Sequence, residues 1–230
     1  MSRMTATYDE AKALAQRTVV DPRYPHKTYT FDPIWVLYDR ILNVTPETVD
    51  CVARDRFLLS KGHQPAAYYA VLAARRFIPE SWLDDVGGTD SPLGGHPDAT
   101  RTPGVEISSG SLGHGLPLGI GQALGLRAQG LTDTRVYVLV GDGELDEGSN
   151  HEAIAYAGEV GIDQVTVIVT DNGSATHGQP GDIDTQFAVN GWTVSTVDGS
   201  DLDGFEHACR EHVPGRPHAI IATATEGEHP

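Results

Sequence analysis

Two uninterrupted apolar segments constrain the fold of this chain more than any other feature. VYVLV covers residues 136–140 and VTVIV covers residues 165–169. Apolar runs of this length indicate strands of a parallel sheet that is buried on both faces. A predicted helix at 148–159 separates them, and a second at 202–212 precedes another apolar run at 219–224. This alternation predicts an α/β fold, a doubly wound parallel sheet with helices on both faces.

The first part of the chain is less regular. A helix is expected at 8–17, and three prolines make residues 19–33 a predicted loop because each fixes φ and removes a backbone donor. The segment 34–42 has the composition of a helix or a strand. We interpret residues 1–54 as an N-terminal helical and loop segment packed on the same domain, and residues 55–230 as the α/β domain itself.

The middle of the chain adds one strand and two helices to this pattern. FLLS at 57–60 is a short apolar strand candidate, and residues 64–76 and 112–129 are predicted helices rich in small or apolar residues. The Gly/Pro/Asp-rich stretch 86–104 is predicted to be a loop. WTVSTV at 192–197 continues the series of strands.

The charge of the chain limits its partners. Of the 230 residues, 32 are acidic and 16 are basic, so the formal net charge is −16. An acidic surface repels the phosphates of nucleic acids and of anionic lipids, and we therefore expect no nucleic acid and no membrane as partner. An anionic ligand would need a locally favourable site, which a metal ion or helix N-termini can provide.

Cysteine content and hydropathy indicate the compartment. Cys51 and Cys209 are far apart and form no CxxC pattern, which supports neither a disulfide framework nor a zinc site. Free thiols are typical of a reducing cytoplasm. Neither an 18-residue apolar run nor the apolar core of a signal peptide is present. We expect a cytoplasmic protein.

The sequence GDGELDEG contains the strongest candidate site. Asp142 lies between two glycines, directly after the strand predicted at 136–140, and Asn172 follows the next strand thirty positions later. One strand–helix–strand unit of this length places both side chains at neighbouring strand ends, where α/β folds bind ligands. Carboxylate and amide oxygens are hard ligands suited to Mg²⁺ or Ca²⁺. A cation there would hold a diphosphate in spite of the acidic chain.

This GDG…Asn pattern is the signature of thiamine-diphosphate-binding proteins, and three further segments extend the resemblance. In order along the chain, the segments are DRFLLSKGHQPAAYYAVLA, GGHPD, SSGSLGHGLPLGIGQALGLR, GDGELDEGSNHEA and DNGSATHG. Together they make the chain similar to the N-terminal, diphosphate-binding half of transketolases, especially of the split kind whose two halves are separate polypeptides.

The resemblance implies a cofactor site for thiamine diphosphate and Mg²⁺, with Ca²⁺ as an alternative cation. Asp142, Asn172 and the main-chain oxygen of Ser174 would bind the metal. The residues that would contact the cofactor are Asp142, Asn172, His63, Gly110, Ser111, Leu112, His114 and Gly143. His114 stands where the family usually has glutamine.

The resemblance also implies catalytic roles for four residues. His63 would lie beside the diphosphate and the reacting centre, and His96 would face the substrate. Glu147 would meet its counterpart across a subunit interface and so link two active sites. His26 lies where transketolases carry a GHxG motif, but its flanking glycines are missing, so substrate handling departs from the family here.

An incomplete active site implies a partner. Transketolases activate the cofactor with a glutamate from a pyrimidine-binding domain, and they carry a later histidine; 230 residues have no room for that domain. We expect a separate C-terminal transketolase subunit, an α₂β₂ assembly, and a sugar or keto acid as substrate in a specialised biosynthetic reaction. The expected activity is transfer of a two-carbon ketol or related acyl unit from a ketose or keto acid to an aldehyde.

Two other interpretations stay open from the sequence. The chain could be the α subunit of a 2-oxoacid dehydrogenase or decarboxylase-type thiamine enzyme, although GSLGHG and LSKGH favour a transketolase. It could also be a non-catalytic scaffold subunit that retains the fold. The presence of Asp142, Asn172 and Glu147 argues against this interpretation, because a subunit that had lost its catalytic role would have little reason to keep all three.

Overall fold

A parallel five-stranded sheet forms the centre of the computed structural model, which describes residues 6–18, 28–175 and 182–224. The strand order is β1-β2-β3-β5-β4, and all neighbours run parallel. The strands are β1 (Arg56–Leu59), β2 (Val136–Gly141), β3 (Val165–Asp171), β4 (Thr193–Asp198) and β5 (His218–Thr223).

Helices cover both faces of this sheet. They are α1 (Tyr8–Arg17), α2 (Thr28–Val36), α3 (Pro65–Ala74), α4 (Gly115–Ala128), α5 (Gly148–Val160), α6 (Ile183–Val189) and α7 (Leu202–Arg210). A π-helical turn, Leu37–Ile41, extends α2, and two 3-10 helices span Glu80–Asp85 and Gly143–Asp146. The arrangement confirms the doubly wound fold predicted from the alternating apolar runs.

Two apolar cores form because alternate strand residues point to opposite faces. Leu59 and Leu139 belong to the core under α1, α2, α3 and α7, whereas Leu58 and Val138 belong to the core under α4, α5 and α6. Every residue of β2 is buried. The uninterrupted apolar runs are therefore strands packed on both sides, as predicted.

The structure corrects the sequence prediction at several elements. Pro33 lies inside α2, not in a loop. It removes one backbone donor from the helix, and the burial of Phe31, Ile34 and Trp35 offsets that loss. The segment 34–42 was predicted as helix or strand, and its residues 34–41 are helical. The helix α6 was not predicted at all.

The N-terminal segment packs directly on the α/β core. Thr7 and Glu10 form a capping box at the start of α1, and α1 lies against α3. Phe31, Trp35 and Tyr38 are at most 5% exposed. Among the described residues, no helix combines the length and the apolar character needed to cross a membrane.

Candidate functional site

The carboxyl ends of β2 and β3 bring the two halves of the GDG…Asn pattern together. Gly141 pairs with Thr170 in the strand register, and the Asp142 N–H donates to the Thr170 carbonyl oxygen at 3.2 Å. Asp142 and Asn172 thus leave adjacent strands at the same edge. Both are buried, at 3% and 7% exposure.

The loop after β3 wraps around the Asp142 carboxylate. The Ser174 N–H and hydroxyl donate to it at 2.6 and 2.7 Å, and the Ala175 N–H donates at 3.1 Å. The Ser174 N–H also donates to the Asn172 side-chain oxygen at 3.2 Å. A Cβ placed on Gly143 would lie 3.6 Å from the Ser174 carbonyl oxygen. The Ser174 N–H thus joins the Asp142 carboxylate and the Asn172 side-chain oxygen, and the Ser174 carbonyl oxygen lies beside Gly143.

This donor set suits a hard divalent cation. It combines one carboxylate, one amide oxygen and one carbonyl oxygen, the ligand types that Mg²⁺ and Ca²⁺ prefer. A carboxylate has about four lone-pair positions, so three donated bonds leave one for a cation. No cluster of three or more His, Cys, Asp or Glu residues able to hold a metal occurs in the described part of the chain.

His63, His96 and Gly110 lie close together at the same edge. A Cβ on Gly62 would lie 2.6 Å from the Ser109 Oγ, so the turn that carries His63 packs against the loop at 109–110. Gly110 has a φ of 137°, and a Cβ there would lie 3.1 Å from the His96 Cδ2. Only glycine permits this conformation and approach. Three separate predicted motifs therefore meet.

Burial controls the protonation of His63. Its partial burial, together with the charges of Lys61 and His96, lowers its pKa to about 4. The imidazole is therefore neutral at neutral pH. A neutral imidazole can both donate and accept a proton, which a general acid–base residue requires.

The loop before α4 packs on the start of α5. His114 is the N-cap residue of α4, and Glu147 is the N-cap residue of α5; both side chains are exposed. A Cβ on Gly113 would lie 2.6 Å from the Glu147 Cβ, and the Ser149 hydroxyl donates to the Gly113 carbonyl oxygen at 2.7 Å. Ser111 is exposed and Leu112 is half-buried in this loop.

His26 is the one candidate site residue that lies outside the described residues. The remaining candidates occupy a single edge of the sheet. A surface pocket of about 420 Å³ lies beside Asp142 and is also lined by Asp171, Ala175 and Ile183, among others. A larger cavity, of about 540 Å³, lies at the opposite edge of the sheet. It is near Asp55 and Arg135, which directly precede β1 and β2.

Two buried charges at this edge were missed by sequence reasoning. Lys61 and Glu144 are each 3% exposed. Burial lowers the pKa of Lys61 to about 8, while the charges of Asp142 and Glu144 oppose that change. Burial also raises the pKa of Glu144, although the hydrogen bonds that it accepts from Ser60 and Gly113 act to lower that pKa. The sequence pattern that could have identified them is a charged residue directly beside a motif glycine, as in LSKG and GDGE.

Several known proteins are similar to this chain in sequence. The family model described as "Transketolase, thiamine diphosphate binding domain" matches residues 25–228. One of the subunits named for the apulose-4-phosphate transketolase of Actinobacillus succinogenes is 36% identical, over 99% of this chain and 88% of its own length. A Rhodococcoides fascians protein called "Ferredoxin fas2" is 51% identical, over 95% of this chain and 72% of its own length.

The name ferredoxin does not describe the chemistry available here. A cysteine-ligated [2Fe–2S] or [4Fe–4S] cluster needs four thiolates, whereas this chain has two cysteines. Cys51 is exposed and Cys209 is buried. This chain therefore does not carry the four thiolates of such a cluster.

Solved structures show the same fold. The transketolase from Leishmania mexicana superposes with a TM-score of 0.75 at 23% sequence identity, covering 96% of this chain but 37% of that one. This chain thus spans little more than a third of a complete transketolase of that kind. From the match over residues 25–228 and the identity to one transketolase polypeptide, the chain belongs to the transketolase family, in which it forms a thiamine-diphosphate-binding domain.

Proposed function

We propose that this chain is the diphosphate-binding subunit of a split transketolase. Together with a second polypeptide, it transfers a two-carbon ketol or related acyl unit from a ketose or keto acid to an aldehyde. The observation that carries this proposal is the convergence of Asp142, Asn172 and Ser174 at two adjacent strand ends, beside Gly143. Family membership supports ketol transfer over the 2-oxoacid dehydrogenase alternative.

The cofactor and cation are assigned to specific groups in this proposal. Asp142, Asn172 and the Ser174 carbonyl oxygen hold Mg²⁺, or Ca²⁺ in its place. The loop residues that line the cofactor, in addition to Gly143, are Gly110, Ser111, Leu112 and His114. Bound thiamine diphosphate supplies an electron sink for cleavage of a carbon–carbon bond.

The side chains of the protein orient groups and move protons. His63, neutral at pH 7 because burial lowers its pKa to about 4, accepts or donates a proton beside the reacting atoms. His96, which lies against Gly110, binds a substrate hydroxyl. Exposed Glu147 contacts a second copy of this chain. His26 is proposed as a further substrate contact.

A second subunit completes the site in this proposal. Support comes from the Actinobacillus succinogenes relative, whose name makes it one of several subunits and of whose length the match covers 88%. The partner supplies the pyrimidine-binding domain, and the assembly is α₂β₂ in the cytoplasm. The donor is a ketose or keto acid, and the acceptor is an aldehyde.

Calorimetric titration of thiamine diphosphate with Mg²⁺ tests this function. The titration is carried out on the chain alone and on its complex with a candidate C-terminal subunit. We expect weak binding to the chain alone and tighter binding to the complex. Asp142→Ala should reduce affinity by about a hundredfold or more, because a charged metal ligand is lost.

A matched control separates the site from general effects. Asp133 is an exposed aspartate in the turn before β2, at the opposite end of the same strand. Asp133→Ala should bind the cofactor as the wild type does. A folded wild-type complex that binds no thiamine diphosphate would contradict the proposal and favour a non-catalytic scaffold subunit.

A further inference from the structure

A single buried carboxylate connects three loops at the carboxyl edge of the sheet. Glu144 lies in the 3-10 helix that follows Asp142. Its Oε1 accepts hydrogen bonds from the Ser60 hydroxyl and from the Gly113 N–H, the latter at 2.9 Å. Its Oε2 accepts from the Gly141 N–H at 3.3 Å. The donors belong to the LSKGH, GSLGHG and GDG segments respectively.

The same network reaches the first turns of two helices. The Ser60 Oγ accepts from the N–H of Gly115, the first residue of α4, at 3.0 Å. The Asn150 side-chain amide, in the first turn of α5, donates to the Glu144 carbonyl oxygen at 2.7 Å. Glu144 is thus bonded, directly or through the Ser60 hydroxyl, to the LSKGH, GSLGHG and GDG segments and to the first turns of α4 and α5.

Lys61 supplies a positive charge beside this carboxylate. Its ammonium donates to the Thr170 hydroxyl at 3.2 Å. Its side chain crosses the end of β2, since a Cβ on Gly141 would lie 3.3 Å from the Lys61 Cδ. A buried carboxylate is stable only when it is hydrogen-bonded and its charge is compensated. The charge of Lys61 interacts favourably with the charges of both Glu144 and Asp142.

We propose that Glu144 and Lys61 are positioning residues that form a buried, charge-paired brace, which holds the three cofactor loops in one arrangement before cofactor and cation bind. The proposal rests on the proposed function, because the loops are those assigned to thiamine diphosphate. A preformed site loses less conformational freedom on binding than a mobile one. Removing the brace therefore weakens binding even though neither side chain is assigned a contact with the cofactor.

The first test replaces the carboxylate by its amide. Glu144→Gln keeps one acceptor oxygen but turns the other into an NH₂ group that faces a backbone N–H. The amides of Gly113 and Gly141 should then exchange with deuterium about tenfold faster or more, measured by NMR on the cofactor-free chain. Thiamine diphosphate with Mg²⁺ should bind the complex about tenfold more weakly, measured by calorimetry.

Two further variants control for the site of the change and for failure to fold. Glu47→Gln, at an exposed position in the loop before β1, should leave amide exchange and affinity unchanged. If Glu144→Gln does not fold, Ser60→Ala takes its place, because it removes only the hydroxyl that joins Glu144 to Gly115. The same loss of affinity is expected, with faster exchange at Gly113 and Gly115.

A double variant tests the charge pairing. Lys61→Met keeps the apolar stem but removes the charge, and leaves Glu144 uncompensated. In the double variant Lys61→Met/Glu144→Gln neither charge remains, so its loss of affinity should be smaller than the product of the two single losses. A purely structural role would give losses that multiply, and that result would overturn the pairing.

The other outcomes are equally decisive. Unchanged exchange at Gly113 and Gly141 in Glu144→Gln would overturn the brace. Faster exchange with wild-type affinity would overturn the positioning role. If the wild-type complex binds no thiamine diphosphate, the proposed function fails, and the amide exchange alone still decides for or against the brace.

Discussion

At the scale of single residues, burial sets the properties of the charged and titratable groups at the carboxyl edge. Asp142 is buried and receives three hydrogen bonds from Ser174 and Ala175. Lys61 is buried next to it with a pKa lowered to about 8. Both residues lie next to the ends of strands, and the hydrogen bonds of the sheet fix the backbone of those strands. The positions of Asp142 and Lys61 are therefore more constrained than those of loop residues elsewhere.

The titration of His63 follows from this environment. Its pKa of about 4 lies below the ~6.5 of an unfolded chain, so the unfolded state binds more protons between these values. The stability that neutral His63 contributes is complete above about pH 6.5 and is lost as pH falls towards 4. NMR titration should give this pKa, and Lys61→Met should raise it. An ordinary histidine pKa in the wild type would contradict this account.

At the scale of elements, glycines determine how closely helices approach their neighbours. On α4, Gly119 faces β2, where a Cβ would lie 2.5 Å from the Val138 Cγ2. On α5, Gly158 faces the turn after α6, where a Cβ would lie 1.6 Å from the Asn190 carbonyl oxygen. Backbone cannot move aside as a flexible side chain can. The contact between α5 and this turn therefore requires glycine at 158.

Gly158→Ala should destabilise the chain by about 1–3 kcal/mol, because the added methyl group has no space. Gly121→Ala on α4 is the matched change, since no atom lies within 4 Å of the added Cβ. It should stabilise the helix by up to about 1 kcal/mol through the higher helix propensity of alanine. Urea unfolding of both variants measures these free energies. Equal effects at the two sites would contradict the packing argument.

At the scale of the whole molecule, residues from the N-terminal segment complete one of the two cores. Phe31, Ile34, Trp35, Leu37 and Tyr38 are all at most 5% exposed and pack with α3 and the sheet. Arg40 also pairs with Glu206 of α7 at 3.0 Å. The five apolar side chains share this face of the sheet with α3 and α7.

A chain that lacks residues 1–54 should therefore fail to fold cooperatively. Burial of a large apolar side chain contributes about 1.5–3 kcal/mol; five of them are comparable to the ~5–15 kcal/mol that stabilises a typical domain. Near-ultraviolet circular dichroism and thermal unfolding of residues 55–230 would test this. A sharp, native-like transition in the shortened chain would show that the segment is a separate unit.

Much of this architecture could be predicted from local pattern. The apolar runs in β2 and β3 admit few alternatives to a buried parallel strand, and the glycine pair around Asp142 identified the loop between β2 and α5. Pro33 misled the prediction because its local preference is weaker than the burial of its neighbours in α2. The short helix α6 was missed because it has only seven residues.

The sequence by itself determined the five strands, most of the helices and the identity of the conspicuous motif residues, because these depend on neighbours along the chain. Only the tertiary structure showed that Glu144 reaches Ser60, 84 positions away, and that Lys61 crosses β2 to Thr170, 109 positions away. Such contacts depend on strand order, register and helix approach, which are properties of the packed molecule. A charged residue next to a motif glycine acquires its role only when that packing buries it.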